Sequence, residues 1–152
     1  MARLFACIIA VLAVLGISPA KTSAQSLSAE GQKPGLKVEI RELKRDDGGM
    51  VTLRFQISNE SDGDFSACSL RESGSDPCNS LTGVHLIDAA NKKKYLVVRD
   101  SAKKCVCAAM DSIHRGSKAN LWAKFPAPPD NVQKMTVVVP HFEPIENVPV
   151  SR

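Results

Sequence analysis

Aromatic side chains are few in this chain of 152 residues: five Phe, one Trp and one Tyr. One of the seven, Phe5, lies within the first 24 residues, and the six that remain are too few for a base-stacking platform. An excess of one charge is also missing. Lys and Arg number 20 against 16 Asp and Glu, and beyond residue 24 the balance narrows to 18 against 16. So weak a field argues against nucleic acid and against an anionic membrane surface as partners. Histidine is confined to His85, His114 and His141, none of them in a recognisable nucleophile motif. Asp88, Asp100 and Asp111 read as strand-end turn residues rather than catalytic acids, so no enzyme and no cofactor is expected. A sustained helical period and an internal repeat are absent as well.

One long apolar run is present. Arg3 precedes residues 4–17, and residues 18–25 then turn small and polar. That order predicts a secretory signal peptide over residues 1–24, cut after Ala24, with Ala20 the alternative site. Fourteen apolar residues fall short of the roughly 20 a helix needs to cross a bilayer, which favours cleavage over retention as an anchor. No other run approaches that length, so no transmembrane segment is expected after cleavage. The 128 residues that follow, about 38% hydrophobic, suit one domain in a secreted or periplasmic compartment. Without Cys7 the cysteines are even in number: Cys68, Cys78, Cys105 and Cys107.

Residues 25–35 carry Ser, Gln, Lys, Gly and Pro around one Leu and predict a flexible leader. The domain proper is expected over residues 36–152, and its period is two. Leu36, Val38 and Ile40 alternate with charged residues; the turn Asp46-Asp47-Gly48-Gly49 follows; Val51, Leu53, Phe55 and Ile57 then alternate with polar neighbours. Residues 65–70 predict a third strand and residues 71–83 a Ser-, Gly- and Asp-rich loop. Residues 84–88 and 94–99 predict a hairpin, and residues 100–116 an irregular stretch. Ala119, Leu121, Ala123 and Phe125 mark a strand ended by Pro126, Pro128 and Pro129; residues 135–139 and 145–150 complete the set. Seven or eight short strands with a turn every 8 to 12 residues predict an all-β, antiparallel β-sandwich, with a closed barrel as the alternative.

Gly83-Val84-His85-Leu86-Ile87-Asp88, the run from Lys94 to Ser101, Cys105-Val106-Cys107, the segment from Leu121 to Pro129 and the closing Val148-Pro149-Val150 carry a resemblance. Over residues 36–150 the chain resembles a group of small bacterial secreted immunoglobulin-like domains, some of which stand before an OmpA-type peptidoglycan-binding domain. The resemblance implies an immunoglobulin-like sandwich exported to the cell envelope, with no activity and no peptidoglycan role to carry over. The Cys68 and Cys78 pair looks like an addition to that group in an expanded loop.

Four cysteines allow three pairings, and spacing alone does not choose among them. The local pairs Cys68 with Cys78 and Cys105 with Cys107 are favoured. A Cys-x-Cys ring is small and implies a turn or strain, which would ease reduction. Two functional readings follow. The first is a non-enzymatic envelope or extracellular interaction domain whose ligand, an unknown protein or envelope component, and whose oligomeric state are left open. Trp122 would serve it as an exposed anchor, and Lys92, Lys93 and Lys94 would join Lys103 and Lys104 in a basic rim if those loops share one end. The second is a periplasmic thiol-redox or copper-binding protein. There Lys103 and Lys104 favour the thiolates, and Cys105, Cys107, Met110 and His114 form a soft ligand set that His85 would extend. Asn59-Glu60-Ser61 fits a glycosylation pattern but reads as a turn.

Overall fold

The structure, a computed structural model, describes residues 27–152. The expected signal peptide lies outside the described residues. Eight strands follow in order: β1 (Ser28–Glu30), β2 (Leu36–Arg45), β3 (Met50–Asn59), β4 (His85–Asp88), β5 (Lys93–Leu96), β6 (Ser117–Pro126), β7 (Lys134–Val138) and β8 (Ile145–Pro149). They form two antiparallel four-stranded sheets, β1-β2-β3-β6 and β5-β4-β7-β8, with no α-helix among the described residues.

Alternation dictates the packing. Leu53, Phe55 and Ile57 of β3 and Leu121, Ala123 and Phe125 of β6 project from one sheet into the core. They share it with Leu86, Tyr95, Met135, Val137, Ile145 and Val148 from the other. In β2 the apolar spacing lengthens from two residues to three between Ile40 and Leu43. A bulge absorbs the extra residue: Ile40 pairs with Phe55 but Glu42 with Arg54, which returns Leu43 to the buried face. The β2–β3 turn is closed by Asp46, whose Oδ1 accepts the N–H groups of Gly48 (3.2 Å) and Met50 (3.1 Å). At the same end the mostly buried guanidinium of Arg45 donates to the carbonyls of Pro128 (2.7 Å), Pro129 (2.8 Å) and Val132 (3.2 Å). It thereby fixes the proline-rich turn that leads to β7.

Two expectations are corrected. The described part of the expected flexible leader, residues 27–35, is tied to the domain, because Ser28–Glu30 pair with β2 and Gly31 bridges to Phe142. Backbone hydrogen bonds and the packing of Leu27 and Ala29 hold this segment, so its polar composition concealed it. Residues 65–70 do not form a strand. Phe65 makes one antiparallel bridge to Ile113, and Ser66 then caps a 3-10 turn over Ala67–Leu70, its Oγ accepting the Cys68 N–H at 3.2 Å. The apolar residues there are buried one at a time against the core.

The flanks of the sandwich are stitched together. Ser151 exchanges backbone hydrogen bonds with Leu43 and Arg45 of β2, and Glu143 donates to Glu30. On the other flank the chain leaves β5, crosses to the rival sheet and places Val98 against Lys124 of β6 (2.8 Å).

Candidate functional site

Beyond Val98 the chain makes a tight turn and doubles back. Asp100 N–H donates to the Lys104 carbonyl (2.8 Å), Val106 N–H to the Val98 carbonyl (2.8 Å), and Lys103 takes a positive φ of 63°. Residues 105–108 then run antiparallel along the outer edge of β6. Lys124 N–H donates to the Val106 carbonyl (3.0 Å) and Ala108 N–H to the Trp122 carbonyl (2.8 Å). Facing this segment stands the loop at residues 75–82. Between the two lies a cleft of about 600 Å³.

Each wall is braced. Cys68 is bonded to Cys78 across the loop, and Cys105 to Cys107, with Cα atoms 5.4 Å apart, in the edge segment. Asp76 joins the walls: its Oδ1 lies 3.0 Å from Arg99 Nη2, and its Oδ2 accepts the Thr82 hydroxyl at 2.9 Å. The Thr82 hydroxyl, reinforced by the Arg99 guanidinium, holds the Asp76 carboxyl below its ordinary 3.8, so it is anionic at neutral pH. The same Thr82 oxygen accepts the Glu72 N–H (2.9 Å), and Arg99 Nη1 reaches the Lys103 carbonyl (3.2 Å). A further bond from Met110 N–H to the Asn79 carbonyl (3.0 Å) closes the base. Lys103 and Lys104 line the cleft, are exposed, and have no ion-pair partner among the described residues. Asp100 stands in the same turn, its Oδ1 accepting the Lys104 N–H (2.9 Å), so Arg99, Lys103 and Lys104 against Asp76 and Asp100 leave a net excess of one positive charge here.

The proposed metal set does not converge. Cys105 and Cys107 are bonded to each other. Met110 is 1% exposed within the core, and His114 is turned to solvent with Nδ1 2.9 Å from Asp64 Oδ2. His85 sits in β4 with Nδ1 3.1 Å from the Gly83 carbonyl. Among the described residues no three His, Cys, Asp or Glu side chains are grouped to hold a metal. The single basic rim is also not formed. Lys92 occupies the turn after β4 with φ 52°, and Lys93, 4.9 Å above the Tyr95 ring, lines a depression with Arg45, Asp46 and Pro128. The cleft with Lys103 and Lys104 instead holds Thr82, near the opposite end of β4. Trp122 lies on the outer face of its sheet, half-buried and paired across to Arg54, directly behind the edge segment.

No protein family, curated protein or solved structure matches this chain.

Sequence reasoning reached the two cysteine pairs and the two lysines of this cleft, but missed Asp76, Thr82 and Arg99. The signal available was that Cys78, Cys105 and Cys107 fall in the two stretches read as irregular, residues 71–83 and 100–116, the first of which holds Asp76 and Thr82.

Proposed function

We propose that the chain is an exported, non-enzymatic interaction domain of the cell envelope or extracellular space, holding a protein or envelope component in the cleft between residues 75–82 and 99–109. One observation carries this reading: the four described cysteines are bonded within the segments that wall or brace that cleft, and none lies in a core strand. Rigid loops on a sandwich lower the ordering cost of binding. The strand order supports an immunoglobulin-like identity. Without β1 and β5, the sheets read β2-β3-β6 against β4-β7-β8, the interleaving by which strands A, B and E face C, F and G. The paired cysteines suit an oxidising compartment, and no helix among the described residues is long and apolar enough to cross a membrane.

A photo-crosslinking residue at Ala102, on the cleft, tests the reading in cells, with Thr52 on the outer sheet face as control. A discrete adduct at Ala102 alone is expected. Adducts at neither position, or equally at both, would refute it.

A second reading stands on the place of the Cys105–Cys107 bond in the cleft wall beside two free ammonium groups, which favour a thiolate. Exchange would oxidise a substrate dithiol to a disulfide and leave Cys105 and Cys107 as thiols. Equilibration with glutathione buffers, read by mass, tests it: a bond that stays closed at cytosolic ratios removes this reading.

A further inference from the structure

We infer that the cleft takes an extended acidic peptide segment, which adds as a strand to the free edge of residues 105–109. This rests on the interaction reading above and names the chemistry of the partner. In an extended segment successive residues turn their backbone groups to opposite sides. Val106 spends both of its groups on Val98 and Lys124, and Ala108 its N–H on Trp122. Those of Cys105 and Cys107 point the other way, and neither residue's backbone N–H or C=O has a partner among the described residues, nor do those of the exposed Ala109. All three residues line the cleft. The sheet thus ends, beyond β6, in a row of hydrogen bonds unmade among the described residues that opens into a cavity, the arrangement that strand addition requires.

The edge strands of the second sheet, β5 and β8, contribute no residue to this cleft, and the far side of the first sheet is engaged. Gly31 bridges to Phe142 beyond β1, and Ser151 covers the end of β2. The bond between the side chains of Cys105 and Cys107 draws their Cα atoms to 5.4 Å, closer than the roughly 6.6 Å of a fully extended pair, and fixes the edge in one shape before any ligand arrives. Charge selects the occupant. The ammonium groups of Lys103 and Lys104 stand at one end of the edge with no ion-pair partner among the described residues, Asp76 is neutralised by Arg99, and Asp100 in that turn offsets only one of the two lysines, so an incoming strand gains by carrying carboxylates.

The test uses the disulfide-intact protein and a fluorescein-labelled peptide of alternating Val and Glu. Its controls are the Val and Lys counterpart and a Val and Glu peptide N-methylated at alternate residues. Anisotropy should show binding of the first, with both controls about tenfold weaker or worse. Lys103→Glu with Lys104→Glu should reverse the charge preference, and the amides of Cys105 and Cys107 should become protected from hydrogen exchange in the complex. Equal binding of the N-methylated peptide, protection elsewhere, or no binding would overturn the inference. Protection that grows with protein concentration in the absence of peptide would also overturn it, by making a second copy the occupant. Capture at Ala102 in cells without peptide binding would remove strand addition alone; loss of both would remove the interaction reading.

Discussion

Asn59 offers the sharpest test of how the loops beneath the sandwich are held. It ends β3, is fully buried, and uses its carboxamide completely. Nδ2 donates to the carbonyls of Ile113 (2.7 Å) and Gly63 (2.8 Å); Oδ1 accepts from the Ser61 N–H (3.0 Å) and the Ser61 hydroxyl (2.6 Å). Asn59→Ala deletes all four. At about 1 kcal/mol net per bond the loss would reach about 4 kcal/mol. The Ile113 carbonyl still accepts the Phe65 N–H (3.0 Å), and the Ser61 hydroxyl and Gly63 carbonyl still bond each other at 3.1 Å, which leaves the Ser61 N–H stranded. The expected loss is therefore about 2 kcal/mol, a large share of a typical domain's stability. Asn59→Asp keeps the acceptor but points a second oxygen at two carbonyls, which should cost about 3–5 kcal/mol at pH 7. Burial without a cation would raise that carboxyl's folded pKa, so the penalty should grow as pH rises above the unfolded value and shrink near pH 4. Urea denaturation read by circular dichroism, with the m-value checked for two-state behaviour, measures both. A loss below about 1 kcal/mol for Asn59→Ala, or an Asn59→Asp penalty that does not change with pH, would refute the reasoning. The same burial predicts that Asn59, despite its Asn-Glu-Ser context, stays unmodified in the folded chain.

Three further outcomes are expected. The Tyr95 hydroxyl is buried with no hydrogen-bond partner among the described residues, so Tyr95→Phe should raise stability by about 1 kcal/mol, and a loss of that size in urea would show that the hydroxyl is satisfied. Arg45→Met strips three carbonyls of a mostly buried guanidinium and should cost about 2–3 kcal/mol, with Arg45→Lys recovering only part; an unchanged melting temperature would contradict it. Asp46, Asp64, Asp76 and Asp88 are all held below 3.8. Hydrogen bonds from the Lys124 ammonium, the His114 ring, the Thr82 hydroxyl and the Asn91 amide, respectively, do most to hold them there. Lowered folded values stabilise the chain above the unfolded pKa and lose that effect as pH falls through the folded ones. The melting temperature should therefore fall steadily below about pH 4, and a flat profile down to pH 2.5 would refute this.

Much of the scaffold was legible because alternation reports a wet and a dry face. Leu53, Phe55 and Ile57 mark β3, Leu121, Ala123 and Phe125 mark β6, and the three-residue step from Ile40 to Leu43 encodes the bulge. Ser28–Glu30 was invisible because its register with β2 is set by backbone groups, which side-chain identity does not encode. Residues 65–70 misled for the opposite reason: Phe65 and Leu70 are core residues, yet a capped turn delivers them, not a strand. The cleft was legible only in part. Its cysteines and lysines are neighbours in the chain, whereas Asp76 and Arg99 are 23 residues apart and meet only after β4 and β5 have formed. The free edge at Cys105 and Cys107 depends on which partner β6 takes, a fact of topology that no local pattern contains.

Two closed, local disulfides brace one cleft. Peptide mapping of the protein taken from its native compartment without reductant, with metal assayed on the same sample, tests it most directly. Bonds from Cys68 to Cys78 and from Cys105 to Cys107, resistant to glutathione and free of metal, are the predicted result. A crossed pairing, free thiols at Cys105 and Cys107, or stoichiometric copper on them would contradict it.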